Sequence, residues 1–247
     1  MFYGGFMVLE DLKGLYIAHR GIQNDDTIEN TIPAFSLAIS KKIPIEFDIH
    51  ILKDGKLVVF HDDTLKRLMG IDKRIEDYTY EELKKITFLN TNIHIPLLEE
   101  VLNIVDGKVL LVIEIKRSKI MNYRDYCLKI TEVLKKYSYS FVVKSFDVRI
   151  VNWFLHHTNY LTGLLIADRE KSIYDRLMRS RFLLSTIKPH FLSVDYHLLD
   201  CRTIKEYRLH NPVMAWTIRS YEVLDRVKNK ADSYLIEKFY FWLIDFF

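Results

Sequence analysis

Short, β-rich apolar runs alternate with amphipathic helical stretches along the whole chain, and this alternation limits the possible folds more than any other feature. The runs cover residues 15–18, 43–49, 57–60, 109–115, 141–145, 162–167, 191–194, 213–217 and 233–236. Helical patterns fall between them at residues 123–137, 147–157, 172–187, 200–209 and 220–228. A further helix opens near Asn30-Thr31, with Pro33 in its first turn. Thr79-Tyr80-Glu81-Glu82 has the spacing of a capping box. Pro96 begins another helix, with Leu97, Leu98, Val101 and Leu102 as its apolar stripe. Lys53-Asp54-Gly55-Lys56 reads as a hairpin turn, so 57–60 is a return strand and eight runs remain. Repeated strand–helix units imply a parallel sheet, and eight in 247 residues fit a closed (β/α)8 barrel, a TIM barrel, with a small β-hairpin after the second strand. The alternative is an open doubly wound sheet, because periodicity does not report closure. No linker-like shift in composition appears, so residues 1–247 read as a single domain.

Composition narrows the function. Lys and Arg total 36 against 33 acidic residues, a net charge of +3, which is no nucleic-acid footprint. The two cysteines, Cys127 and Cys201, match no metal-binding or redox spacing and read as buried free thiols within helices. The opening MFYGGFMVLEDLKG lacks a basic segment before its apolar residues, and no apolar run approaches the ~20 residues that span a bilayer. A cytoplasmic protein is expected. The sequence has no GxSxG, HExxH, P-loop or GxGxxG motif, which removes support for serine hydrolases, zincins, NTPases and dinucleotide enzymes.

Groups able to do chemistry gather where the strands end. His19-Arg20-Gly21 follows the first run, and His61-Asp62 follows the hairpin strand. Glu46 and Asp48, two residues apart, share one face of the second strand, and Glu114 and Lys116 repeat that spacing. A barrel places its active site at this C-terminal rim. Charges there are costly unless paired or bound to metal. Glu46, Asp48 and Glu114 outnumber Arg20 and Lys116 by one charge, a balance that repels an anion. One divalent cation makes it positive, and a phosphodiester then neutralises it. Oxygen ligands suit Ca²⁺ or Mg²⁺, with Mn²⁺ as a substitute. The two imidazoles remain for proton transfer.

These residues resemble the glycerophosphodiester phosphodiesterase family. The resemblance rests on His19-Arg20-Gly21, Glu29-Asn30-Thr31 with Ala34-Phe35, Glu46-Phe47-Asp48, Lys53-Asp54-Gly55, Val58-Val59-Phe60-His61-Asp62, Ile95 through Leu102, Ile113-Glu114-Ile115-Lys116 and Ala215-Trp216-Thr217, in that order. It implies a TIM barrel, one divalent cation, and hydrolysis of small-molecule glycerophosphodiesters to sn-glycerol 3-phosphate and an alcohol. The sequence departs from the family pattern at Leu52, at Lys42-Ile43-Pro44 and at residues 231–237, none of them an inferred ligand or proton-transfer group.

On this reading His19 and His61 are general acid and base, and Glu46, Asp48 and Glu114 hold the metal. Arg20 and Lys116 hold phosphate oxygens, and Trp216 lines the glycerol or head-group pocket. Glu29 and Asp62 keep Arg20 or the histidines in place. Asn30 has the same supporting role as an option, beside capping the following helix as Thr31 could. His50 continues the Glu46–Asp48 face but reads as a hairpin histidine turned to solvent. The aromatic stretch 239–247 reads as a terminal helix packed on the barrel, with a membrane-surface or oligomer contact as the alternative. Two other functions compete: a phospholipase D-like hydrolase of lysophospholipids on the same barrel, and a non-catalytic binding barrel.

Overall fold

The computed structural model describes residues 8–137, 140–168 and 173–238. Eight parallel strands close on themselves: β1 (Leu15–His19), β2 (Ile45–Ile51), β4 (Leu111–Ile115), β5 (Phe141–Ser145), β6 (Thr162–Ile166), β7 (Phe191–Asp195), β8 (Val213–Ile218) and β9 (Ser233–Ile236). Closure is made where β1 pairs with β2 on one side and β9 on the other. The TIM barrel expected from the alternation is therefore the observed architecture, and the open sheet is excluded. β3 (Leu57–Val59) pairs antiparallel with β2 and forms the expected hairpin outside the ring.

Helices α1 (Ile32–Ser40), α4 (Leu98–Val105), α5 (Tyr123–Leu134), α6 (Val148–His157), α9 (Arg202–Arg208) and α10 (Tyr221–Val227) return the chain between strands. The helical pattern at 172–187 is two helices, α7 (Ile173–Met178) and α8 (Arg181–Ile187). Ser180 divides them because its hydroxyl accepts from Leu183 N–H and starts a new helix. The second strand begins at Ile45 rather than 43, since Pro44 has no N–H for the ladder. Pro96 likewise lies before its helix, and its carbonyl accepts from Val59 N–H. Cys127 is buried as expected, whereas Cys201 is half-buried and precedes α9 as its N-cap. Among the described residues no helix is long and apolar enough to cross a membrane. The aromatic stretch 239–247 lies outside the described residues.

The inward faces of the strands are layered. Ile17, Val112, Val142, Phe191, Met214 and Leu235 form an apolar floor, closed from below by Leu12 of the 3₁₀ turn Leu9–Leu12. Two residues further along each strand the same face carries His19, Glu114, Lys144, Ser193, Trp216 and Glu237. A single step of the strand period thus separates the packed floor from a polar rim.

Residues 61–96 build a small lobe over this rim, from α2 (Lys66–Met69), a 3₁₀ turn and α3 (Tyr80–Leu83). Its own core contains Leu65, Met69, Ile75, Leu83 and Phe88, together with Phe60 of the hairpin. The capping box is present as expected: Glu82 N–H donates to Thr79 Oγ1, and Thr79 N–H donates to Glu82 Oε2. Asp54 ties the hairpin turn to this lobe by accepting from Tyr80 N–H at 2.8 Å.

Gly163 of β6 is where the floor tolerates no side chain. A Cβ there would lie 2.3 Å from a ring carbon of fully buried Phe191. Gly163→Ala is expected to destabilise the protein by about 1–3 kcal/mol in urea unfolding. Adding Phe191→Leu should recover part of that loss, whereas strictly additive effects would rule out the steric cause.

Candidate active site

The site begins with the turn after β1. Arg20 (φ 61°) and Gly21 (φ 82°) both take left-handed backbone, and a Cβ on Gly21 would lie 2.9 Å from Ala34 Cβ. The motif glycine and Ala34 are therefore needed together to let this turn lie against α1. The turn lifts Arg20 over the rim, where Arg20 N–H donates to Glu46 Oε2 at 3.3 Å. Its guanidinium donates to Glu29 Oε1 at 2.8 Å and lies 3.4 Å from Asp48 Oδ2.

Strand register brings the carboxylates together. His19 pairs with Glu46, Asp48 with Glu114, and Glu114 with Lys144 on the adjacent strand. Glu46, Asp48 and Glu114 are all buried, and each offers an oxygen within 4.8 Å of the others. Two opposed ligands of Ca²⁺ stand about 4.6–5.2 Å apart, so one hard cation fits between these three groups. A further oxygen, Asn30 Oδ1, is buried and has no hydrogen-bond partner among the described residues. The donor set is all oxygen, which suits such an ion better than a thiophilic one.

Protein cations surround the triad. Lys116 Nζ lies 2.7 Å from Asp48 Oδ1 and also bonds Glu114. Burial alone would raise the Asp48 carboxyl, but Lys116 and Arg20 outweigh it and hold Asp48 well below the usual carboxylate range. Phe60 N–H donates to the Asp48 carbonyl at 3.0 Å, which brings the next residue, His61, beside β2.

The two histidines are held alike. His19 Nδ1 lies 3.0 Å from Glu237 Oε2, and its Nε2 lies 3.9 Å from Glu46 Oε2. His61 Nδ1 lies 2.6 Å from Asp62 Oδ1. In each ring a carboxylate engages Nδ1 and so favours the tautomer with its proton there.

Two sequence expectations fail here. His50 does not face solvent: it is 2% exposed, and its Nε2 donates to the His61 carbonyl oxygen at 3.2 Å. Burial, helped by Lys116, pushes its pKa down to about 4, so the ring is neutral. The barrel wall and the lobe over the hairpin enclose it. Of the two options for Asn30, the helix cap fails, since neither Asn30 nor Thr31 caps α1 with its side chain, and the supporting role beside the site is the one the contacts favour. Asn30 Nδ2 donates instead to Asp48 Oδ2 at 2.9 Å, and Thr31 Oγ1 donates to the Ile28 carbonyl. Backbone at φ 56° turns Asn30 toward the rim.

Three residues of the cluster escaped the sequence reading. Lys144, 1% exposed, places Nζ 2.9 Å from Glu46 Oε1 inside the barrel. Its signal was a lysine within an otherwise apolar strand. Glu237 backs His19 and also accepts from Arg219. Arg67 of the lobe bonds both Glu29 and Asp62, joining Glu29 and Arg20 to His61. Lys144 and Glu237 cancel in charge, so the negative balance around the triad is unchanged. Trp216 stands at the same rim, edge-on to Phe146.

Comparison with known proteins agrees with this geometry. A family model for the glycerophosphoryl diester phosphodiesterases matches residues 19–236. The glycerophosphodiester phosphodiesterase of Caldanaerobacter subterraneus subsp. tengcongensis is 37% identical over 149 residues, 55% of this chain and 59% of that protein. The chain thus spans about three fifths of the length of that relative. The solved structure of the Thermotoga maritima glycerophosphodiester phosphodiesterase superposes with a TM-score of 0.72 at 29% identity, covering 90% of this chain and 94% of that one. A phosphodiesterase of Oleispira antarctica, solved with the product sn-glycerol-3-phosphate, shares the fold with a TM-score of 0.77 at 21% identity, over 92% and 94% of the two chains. With the motifs in order around one closed barrel and a family model matching nearly its whole described length, the chain belongs to the glycerophosphoryl diester phosphodiesterase family.

Proposed function

We propose that this protein hydrolyses glycerophosphodiesters to sn-glycerol 3-phosphate and an alcohol, with one divalent cation, Ca²⁺, Mg²⁺ or Mn²⁺, held by Glu46, Asp48 and Glu114. The observation that carries this reading is an oxygen-only carboxylate triad meeting two carboxylate-backed imidazoles at one rim. A bound cation would supply positive charge that polarises the phosphoryl group.

The chain's own residues account for the rest. Arg20 and Lys116 bring positive charge to the rim and bind phosphate oxygens, for which the guanidinium fork of Arg20 is suited. Asn30 fixes the Asp48 carboxylate from the side. With Nδ1 of each histidine engaged by a carboxylate, Nε2 is the nitrogen that exchanges protons. One imidazole takes the proton from the attacking oxygen, and the other delivers a proton to the departing alkoxide. Attack by water needs these two transfers once; attack first by the substrate's own glycerol hydroxyl releases the alcohol and leaves a cyclic phosphate, which water then opens with the two imidazoles in exchanged roles. Glu237 and Asp62 orient the rings, and Glu29 orients Arg20. Trp216, whose indole N–H is buried without a partner among the described residues, lines the glycerol or head-group pocket. A phospholipase D-like activity would act instead on lysophospholipids.

Metal-replete protein should release glycerol 3-phosphate from glycerophosphocholine faster than it cleaves lysophosphatidylcholine. The reverse order would move the assignment to the lysophospholipids, and no release from any glycerophosphodiester would reject hydrolysis of this class. His19→Ala and His61→Ala should each lower kcat by at least ~10²-fold. Calorimetric titration with Mn²⁺ should show one site, lost in Glu46→Gln; unaltered binding in that variant would place the ion elsewhere. The Glu237 carboxyl, which burial would raise, is held down at about 2 by the His19 hydrogen bond and Arg219. Its contribution, about 1–3 kcal/mol, is present above pH 4.5 and lost as pH falls from there toward 2. Urea unfolding should therefore show a steeper acid loss for the native protein than for Glu237→Gln, and equal slopes would contradict the pairing.

A further inference from the structure

We infer that Arg67 is a positioning residue that fixes His61 and Arg20 at the same time, and that the small lobe serves the site by delivering it. The inference rests on the roles of those two residues proposed above. Arg67 belongs to α2, a four-residue helix whose last residue, Met69, and N-cap, Leu65, are buried in the lobe core. Its side chain emerges from that anchor, about half exposed, and reaches two carboxylates that are much less exposed.

The fork is used on both sides. Nε donates to Asp62 Oδ2 at 2.7 Å, and Nη2 donates to Asp62 Oδ1 at 3.1 Å. Nη1 donates to Glu29 Oε2 at 2.9 Å, and Nη2 also donates to Glu29 Oε1 at 2.7 Å. The oxygen of Asp62 that takes the longer bond also engages His61 Nδ1. The oxygen of Glu29 that takes Nη2 also takes Arg20 Nη1. A continuous chain of hydrogen bonds therefore runs from His61 through Asp62, Arg67 and Glu29 to Arg20, which itself lies against Asp48.

An isolated exposed ion pair contributes little, but paired bidentate contacts to two shielded carboxylates form a network with defined geometry. Without Arg67, Asp62 and Glu29 would be left as neighbouring negative groups under the lobe. Glu29 supports this reading: burial works against its ionisation, yet Arg67 and Arg20 still hold its carboxyl below the usual range. A lysine in place of Arg67 would keep the charge but would lack the planar set of donors that reaches both partners.

The test uses the full chain with Arg67→Met and Arg67→Lys. With glycerophosphocholine as substrate, both variants should raise KM, through a loosened Arg20, and lower kcat, through a loosened His61. Together these effects should reduce kcat/KM by about 10-fold or more. In ¹⁵N-labelled protein the Arg20 Nε–H and His61 ring signals should broaden or shift in both variants, while thermal unfolding stays cooperative. Wild-type KM and unmoved Arg20 and His61 signals would overturn the inference, as would full restoration of wild-type values by lysine. If the native protein proves inactive on every glycerophosphodiester, the proposed reaction fails, and the Arg20 and His61 signals still decide the coupling on their own.

Discussion

Three carboxylates buried at the top of a closed apolar barrel set the terms for everything around them. Like charges brought this close in a poorly polarisable interior are costly unless opposite charge is supplied at short range. The protein supplies it from three directions, with Lys116 across Asp48 and Glu114, Lys144 against Glu46 and Arg20 from the first turn, and adds Asn30 as a neutral donor to Asp48. These three cations match the three carboxylates in number, and Glu237 beside His19 leaves one negative charge in excess, the electrostatic condition a divalent cation meets. Removing one partner of such a buried pair ordinarily costs about 3–5 kcal/mol, so the same contacts that prepare the site also hold the barrel top together.

The barrel makes this possible by layering. Six of the eight inward faces carry an apolar side chain first and a polar one two residues later, as in Ile17 and His19, Val112 and Glu114, or Val142 and Lys144, while β2 presents Glu46 and then Asp48. The floor excludes water from below, while parallel register sets the height of each polar group against its neighbours. Gly163 shows how tight the floor is, since the Phe191 ring takes the space that a side chain there would need. The site thus rests on a close-packed floor.

A second level of organisation lies above the rim. The hairpin and the lobe that follows it are tied by Asp54 to Tyr80 and by Pro96 to Val59, and they enclose His50 and carry His61, Asp62 and Arg67. One of the two carboxylate-backed imidazoles is therefore mounted on a unit with its own small core, docked on a barrel that supplies the other. Glu29 and Arg67 form the join between them.

The sequence by itself determined the strand–helix alternation, the hairpin, the capping box at Thr79 and the eleven residues set out as a site, because these depend on periodicity and on motifs contiguous in the chain. It also held the lysine of β5 in plain view, but a strand period of two does not say what stands across the barrel. Only the tertiary structure decided that the sheet closes, that Lys144 meets Glu46, that Glu237 backs His19, and that Arg67 joins residues nearly forty positions apart. It also turned His50 inward and gave Asn30 to Asp48 rather than to a helix end. The physical reason is the same in each case: these side chains answer to charges brought near by ring closure and strand register, and neither is a local property of the chain.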